Sequence, residues 1–386
     1  MRIGYLSTDR GVPVFGTKGC SIHVQEIVRS FRRLGHQVEL FATRVGGPPP
    51  RDLGDVPLHD LPILEPGRSA KTLDAANRAI VATLIGGRQL DLVYERHALW
   101  SYAGMTAARA LNVPGILEVN APLIEEANRF RDAVPKGPAE AAAARAFQSA
   151  YAVVAVSAGV AGYVRALSTS ARVAIIPNGV DPARFGAPNR AADRFTVGFI
   201  GTMKPWHGLE VLADAFVALA RRIPAARLMM VGEGPERSAV AARFEREGVG
   251  SRVEWLGSVP PDEVPGLLAR MDVGVAPYPN AESCYFSPLK VFEYLAASVP
   301  VVASRAGQIA EVLVDGRHAI LVAPGDAHQL TEALVRLADS PALATRLAVA
   351  GHRLVTAEFT WDRVADRILK LPGLEQRHPR LSPAAF

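Results

Sequence analysis

The stretch SPLKVFEYLAASVPVV, residues 287–302, places a cation and a carboxylate three positions apart, Lys290 and Glu293. It reads as a helix followed by a short buried strand. Ser287 suits the N-cap and Pro288 the first helical position. Leu289, Phe292 and Leu295 or Ala296 recur at helical spacing as the buried stripe. A helix N-terminus carries partial positive charge and unbonded N–H groups, so a lysine there is unfavourable unless an anion comes to it. The N–H groups and Lys290 could hold phosphate, and Glu293, one turn deeper, could accept from ribose hydroxyls. Together they would read a nucleoside diphosphate. The plainer reading is a surface lysine that snorkels away from the helix end.

Other loops offer matching chemistry. GTMKPWHGLEVLADAF (201–216) follows a strand and opens a helix, with Gly201, Lys204, His207 and Gly208, and so two possible cations. VGEGPE (231–236), containing Gly234, WLGSVP (255–260), containing Val259, and APYPNAESCYFSPLK (276–290) follow the next three strands. Four strand-end loops are thus expected at one crevice. Near the N-terminus, STDRGVPVFGTKGCSIHV (7–24) is long for a strand–helix loop. Gly16 and Gly19 let backbone approach a ligand, and Ser21 could cap the following helix. His23 is either a ligand contact or a capped core histidine. No G-x-G-x-x-G follows the first strand and no P-loop is present, so dinucleotide and P-loop chemistry are poor fits. No D-x-D pair and no His/Cys cluster suggests a metal, and none is expected as a cofactor.

These loops need elements to position them. The first half alternates strands at 2–7, 37–43, 90–96, 115–119, 152–157 and 173–179 with helices at 21–35, 69–88, 101–111, 137–149 and 158–167. The second half restarts with strands at 195–201, 226–232, 252–257, 273–278, 299–304 and 319–324. Such alternation predicts α/β architecture, two doubly wound Rossmann-like parallel-sheet domains facing a cleft, with ligands beyond the carboxyl ends of the strands. The expected domains are 1–187 and 188–358, joined through the polar segment 186–194, with Asn178 and Gly179 in a turn. Residues 359–372 form a C-terminal helix bracing both, with Trp361, Val364 and Ile368 on one face, and 373–386 form a frayed tail. The chain has 386 residues, 49% apolar, and a net charge of +5 with its basic residues dispersed, so nucleic acid is not an expected partner. No apolar run spans a membrane, no signal peptide is evident, and membrane contact would be peripheral. Cys20 and Cys284, 264 positions apart, suggest neither a disulfide framework nor a zinc site, and point to a reducing cytoplasm.

The order and spacing of GTKGCSIHVQEIVRSFRRLGHQVELFA, VYERHALW, ILEVNAPLIEE, VAVSAGV, IIPNGVDPARF, GFIGTMKPWHGLEVLADAF, MVGEGPE, WLGSVP and SPLKVFEYLAASVPVVAS resemble the retaining glycosyltransferases of the GT-B fold, specifically family 4, over roughly residues 2–371. The resemblance implies that the first domain binds the acceptor and the second a nucleotide-sugar donor. Glu293 matches the ribose-binding glutamate that ends an E-x7-E motif. Lys204 and Lys290 then stand near the diphosphate, the Gly16–Gly19 loop faces the transferred sugar, and the backbone around Val259 lies near the base. The chain also departs from the family pattern. The first glutamate of the motif is replaced by Tyr285, with Glu282 out of register. The usual diphosphate-site Arg and Lys fall near Thr202 and His207, leaving Lys204 and His207 to stand in. Asn120 follows the strand where the family often has histidine. The acceptor-side polar residues are His23, Arg96, His97, Glu118, Asn120 and Glu125; for Arg96 a buried ion pair is an equal alternative.

The implied reaction moves a hexose-type sugar from a nucleoside-diphosphate sugar, with UDP as the nucleotide, to a hydroxyl acceptor with retention and without metal. Lys290, Lys204 and helix N–H groups stabilise the leaving diphosphate. The acceptor could be a small molecule, a lipid-linked sugar or a saccharide. The alternatives are a nucleotide-sugar epimerase on the same fold and a non-catalytic nucleotide-sugar-binding subunit.

Overall fold

A computed structural model describes residues 1–64, 70–130, 133–280 and 285–371. It divides into two compact units, Met1–Pro177 with the segment from Trp361 onward, and Asn178–Thr360.

In the first unit, β1 (Arg2–Ser7), α1 (Gly19–Arg33), β2 (Gln37–Ala42), β3 (Leu58–Asp60), α2 (Ala70–Ile85), β4 (Leu92–Arg96), α3 (Ala103–Ala110), β5 (Gly115–Val119), α4 (Leu123–Phe130), α5 (Lys136–Ser149), β6 (Ala152–Ala155), α6 (Ala158–Leu167) and β7 (Val173–Ile175) follow in order. Among the described residues the sheet is parallel, in the order β3-β2-β1-β4-β5-β6-β7. The short β3 and the helix α4 are elements the sequence pattern missed. Three residues are too few to show a period, and α4 follows its strand after only three residues.

The second unit runs β8 (Phe195–Ile200), α7 (Leu209–Arg222), β9 (Ala226–Val231), α8 (Arg237–Arg246), β10 (Val253–Gly257), α9 (Val264–Leu268), β11 (Val273–Ala276), α10 (Leu289–Ala296), β12 (Val301–Ser304), α11 (Gly307–Val312), β13 (Ile320–Val322), α12 (Ala327–Asp339) and α13 (Pro341–Glu358). Its sheet, again parallel, is ordered β10-β9-β8-β11-β12-β13. Both sheets reverse direction once, between β1 and β4 and between β8 and β11. Diverging connections at such a point leave a crevice at the carboxyl ends of the strands.

The central strands are near-continuous apolar runs because helices cover both faces. Ile3, Tyr5, Leu92, Tyr94 and Ile116 are fully buried in the first unit, as are Val197, Phe199, Leu228, Met230, Val273 and Val275 in the second. Two glycines are required by backbone geometry. Gly232 has φ +126° and Gly208 φ +66°; a side chain on either would collide with the carbonyl oxygen of Gly201 or Pro277, respectively.

Three expectations about organisation are corrected. The boundary falls at Pro177/Asn178 rather than at 187/188. The 186–194 segment is packed within the second unit: the Asn189 N–H donates to Ala269 O at 2.7 Å, and Arg190 Nε and Nη2 donate to Met271 O and Ser298 O at 3.0 and 2.8 Å. Polarity marked it as a linker, but its donors are satisfied by carbonyls of its own unit. The last helix, α14 (Trp361–Leu369), belongs to the first unit, where Arg33 on α1 grips Asp362 through two nitrogens at 2.7 and 2.9 Å. Its buried face is Trp361, Val364, Ala365 and Ile368, as the spacing predicts. The expected tail lies outside the described residues.

Candidate functional site

In the second unit, the loops leaving β8 and β11 meet at the reversal point. A Cβ built on Gly201 would lie 3.0 Å from Lys290 Nζ and 3.9 Å from His207 Cε1, so the α10 lysine and the β8-loop histidine both close on this glycine. The Lys290 ammonium stands 4.1 Å from the Phe199 ring centre and 5.9 Å from that of Tyr278, both within cation–π range. Lys204, half-buried at the start of the 205–207 turn, lies 5.7 Å from the Trp206 ring. The β8 and β9 loops are tied backbone to backbone: Gly201 N–H donates to Val231 O and Met203 N–H to Glu233 O, both at 2.9 Å. Gly234 packs against Met203 so closely that a side chain there would strike the Met203 backbone. Gly232 N–H donates to Gly257 O at 2.7 Å, which brings in the β10 loop ahead of the half-buried Val259.

His207 is not the cation that the sequence suggested. Its half-buried ring sits among Phe199, Trp206, Tyr278 and Phe286, with ring centres 6.1–6.4 Å away. Burial in that setting and the neighbouring Lys290 push its pKa down to about 3, with Lys204 adding to the effect. The ring is neutral at neutral pH. Nδ1 pairs with Thr202 O, so it donates and Nε2 is the acceptor.

The start of α10 is also corrected. The helix begins at Leu289 with Pro288 at the N-cap and no side-chain cap. Ser287 is engaged elsewhere: its hydroxyl accepts from Asn178 N–H at 3.0 Å and donates to buried Gln308, while its carbonyl accepts from Asn178 Nδ2 at 3.0 Å. Among the described residues no side chain caps this helix, although the Val291 N–H donates to Pro288 O at 3.1 Å; an end without a side-chain cap suits an incoming anion. Val291, Phe292, Tyr294 and Leu295 are buried, while Leu289, Lys290 and Glu293 are half-buried, so lysine and glutamate share the outer stripe. Tyr285, also half-buried, rests edge-on to Phe286 at 5.6 Å. Glu282 and Cys284 lie outside the described residues; Cys20 is a free cysteine.

In the first unit, His23 is a core residue, 2% exposed. Its Nδ1 accepts from Arg96 at 3.1 Å, which leaves Nε2 as the ring's donor toward Glu118 Oε1 at 3.0 Å. Trp361 packs edge-on at 5.1 Å. Burial alone would raise the Glu118 carboxyl; His23, Arg96 and Asn120 instead hold it below the usual range. His23 and Glu118 are thus paired within the core, and Arg96 and Asn120 beside them are half-buried. His97 is buried against Phe147, with burial and Arg96 lowering its pKa to about 4. Glu125 is exposed in the first turn of α4, apart from this cluster. At the N-terminal loop, α1 starts at Gly19 without a side-chain cap, and Ser21 is buried beneath Gly16 rather than capping it. The loop is not free: Gln25 Nε2 donates to Val14 O and Gly16 O, both at 3.0 Å.

Sequence reasoning missed the Phe199–Tyr278 enclosure of Lys290 and the roles of Gln308 and Asn178; aromatic residues at the carboxyl ends of strands were the available signal. Two cavities of about 480 Å³ open at the amino ends of strands, one beside Thr196, Leu228 and Val253, the other beside Gly115 and Tyr151. Neither contains an expected site residue, and both lie at the end of the sheet opposite to where such folds bind ligands. Among the described residues, no three His, Cys, Asp or Glu side chains gather to hold a metal ion, and no helix is long and apolar enough to cross a membrane.

Two parallel α/β units of this order, with a lysine-bearing helix start at the reversal point of the second, define a GT-B-type protein. Residues 17–184 match the family model described as Glycosyltransferase Family 4, and residues 194–340 the one described as Glycosyl transferases group 1; the chain belongs to this glycosyltransferase family. It is 28% identical over 220 residues to a glycogen synthase of Mycobacterium tuberculosis, covering 55% of this chain and 52% of that protein. It is 28% identical over 222 residues to a GDP-mannose-dependent alpha-(1-6)-phosphatidylinositol monomannoside mannosyltransferase of Mycolicibacterium smegmatis, covering 54% and 58%. The chain thus spans little more than half the length of these curated relatives. The Anabaena protein HepE, solved in complex with UDP, superposes with a TM-score of 0.73 at 19% identity, covering 95% of this chain and 98% of that one.

Proposed function

We propose that the protein transfers a hexose-type sugar from a nucleoside-diphosphate sugar, with UDP as the nucleotide, to a hydroxyl of an acceptor, with retention at the anomeric carbon and without a metal ion. The observation that carries the reading is the Lys290 ammonium beside Gly201, at the head of an uncapped helix and next to a neutral histidine. The bond from anomeric carbon to phosphate oxygen breaks, and a bond to the acceptor oxygen forms on the same face. The acceptor proton goes to the departing diphosphate. Lys290, Lys204 and the first-turn amides of α10 meet the charge that develops on that diphosphate, in the role a metal ion would otherwise fill. Glu293 receives the ribose hydroxyls. Neutral His207 offers Nε2 as an acceptor rather than adding charge. Half-buried Arg96 and Asn120 are the candidate polar contacts of the first unit, which takes the acceptor. A cytoplasmic location is part of the same reading.

Calorimetric titration with UDP, GDP, dTDP and ADP, with and without magnesium, tests this. One nucleotide should bind without magnesium, and Lys290→Ala should weaken it on the order of 10- to 100-fold, the worth of a charge-assisted hydrogen bond. Glu293→Ala should weaken UDP but not inorganic pyrophosphate. Parent-like binding by both variants would sink the assignment.

A further inference from the structure

At the reversal point of the first sheet, the loops leaving β1 and β4 and the helix α4 enclose a cavity of about 250 Å³. None of the individually named candidate residues lines it, although Thr8–Gly11 belong to the long 7–24 loop. Its walls are apolar, with Leu64, Leu99, Trp100, Leu123, Ala127 and Val134, and Thr8, Asp9 and Arg10 form a polar edge.

Two features mark it as a prepared site. Trp100 has φ +73°, the left-handed region that a bulky side chain adopts only when its surroundings enforce it. They do so here. Asn77 on α2, 1% exposed, donates from Nδ2 to Trp100 O at 3.1 Å and accepts from Tyr102 N–H at 3.0 Å. Between these anchors the Ser101 hydroxyl donates to buried Glu95 at 2.5 Å. The loop is thus pinned by side chains from two other elements, the support that a precise binding site needs. The second feature is unspent polarity. Trp100 Nε1 and Thr8 Oγ1, on residues 6% and 3% exposed, have no hydrogen-bond partner among the described residues. Native proteins seldom leave such groups unpaired without a ligand or water to take them up.

An unmodified sugar presents hydroxyls all round and would leave many of them against aliphatic walls. We propose that this cavity seats a compact apolar group, an aryl ring or an alkyl segment of a few carbons, carried by a hydroxyl-bearing head held at the Thr8–Arg10 edge. The acceptor is then amphiphilic. The word acceptor rests on the transferase reading; the chemistry of the cavity does not.

The test is equilibrium binding of p-nitrophenyl β-D-glucoside, n-octyl β-D-glucoside and D-glucose to the full chain, beside the nucleotide titration. One of the two conjugates should bind about ten-fold or more tighter than glucose, as burial of a ring or short chain requires; which one wins separates an aryl from an alkyl occupant. Trp100→Ala should remove that advantage. Because this variant could fail to fold, Leu123→Ser, at a half-buried position, serves as the second. It should cut the advantage several-fold while nucleotide binding stays at the parent level. Equal affinities, no binding by any of the three, or an advantage untouched in Leu123→Ser would overturn the proposal. If no nucleotide binds while a conjugate does, the transferase reading falls and the cavity's ligand class stands.

Discussion

Lys290 looks misplaced on an isolated helix because a cation at the N-terminus opposes the helix dipole. In the folded unit it lies against Phe199 and Tyr278, and the neighbouring histidine has given up its charge. Positive potential is thus concentrated on lysines, while His207 is left as a hydrogen-bonding group. Glu95 is another displaced titration. Burial raises its carboxyl to about pH 7, and the Ser101 hydroxyl with the amides of Met105 and Gly104 recovers only part of that shift. Between its ordinary value of 4.5 and about 7, the folded chain holds this proton and the unfolded chain does not. Stability from this group is therefore full below 4.5 and is lost as pH rises through 7. Glu95→Gln should flatten this part of a melting-temperature profile and stabilise the protein at pH 8, by up to about 3 kcal/mol. An unchanged slope would show that Glu95 is ionised throughout. His97 works in the opposite sense: with its pKa lowered to about 4, it costs stability as pH falls below its ordinary 6.5. His97→Phe should therefore raise the melting temperature at pH 5 more than at pH 8.

At the scale of elements, the start of α10 is held by partners outside the helix. Ser287 joins Asn178, at the first position of the second unit, to Gln308 on α11. Ser287→Ala leaves the Asn178 N–H and Gln308 Oε1 buried without that partner, and should cost about 1–3 kcal/mol in denaturant unfolding. Nucleotide affinity should fall several-fold, because the Lys290 turn loses its anchor. A loss of stability at parental affinity would show that the anchor does not position the site. The β4–α3 loop is built the same way, by Asn77 and Glu95. In each case the turn borrows its rigidity from buried polar side chains on other elements.

At the scale of the molecule, each unit carries its own buried sheet core. Calorimetry of the full chain should resolve two unfolding steps. UDP at a hundred times its dissociation constant should move only one of them, by about 2.7 kcal/mol. Hydrogen exchange should then place the protected amides at 201–208 and 287–293. A single transition that shifts as a whole would mean that the units do not unfold independently.

The alternation of apolar strands and amphipathic helices, repeated twice, determined the fold class, because period and order are local properties of the chain. The meeting of Gly201, His207 and Lys290 was legible for a similar reason: the β8 loop and the start of α10 come after strands, and a parallel sheet carries such connections to one edge. Tertiary structure decided what depends on surroundings. The protonation of His207 follows from the rings and lysines around it. The burial of His23 and Glu118 follows from their pairing, and the task of Ser287 follows from partners 109 and 21 positions away. The strained turn at Trp100 and the cavity beside it have no sequence signature, since side chains from α2, α4 and the loops leaving β1 and β4 meet there only after folding. Spacing along the chain specifies which face a residue occupies; desolvation and hydrogen bonding specify what it does there, and both are set by neighbours that are distant in sequence.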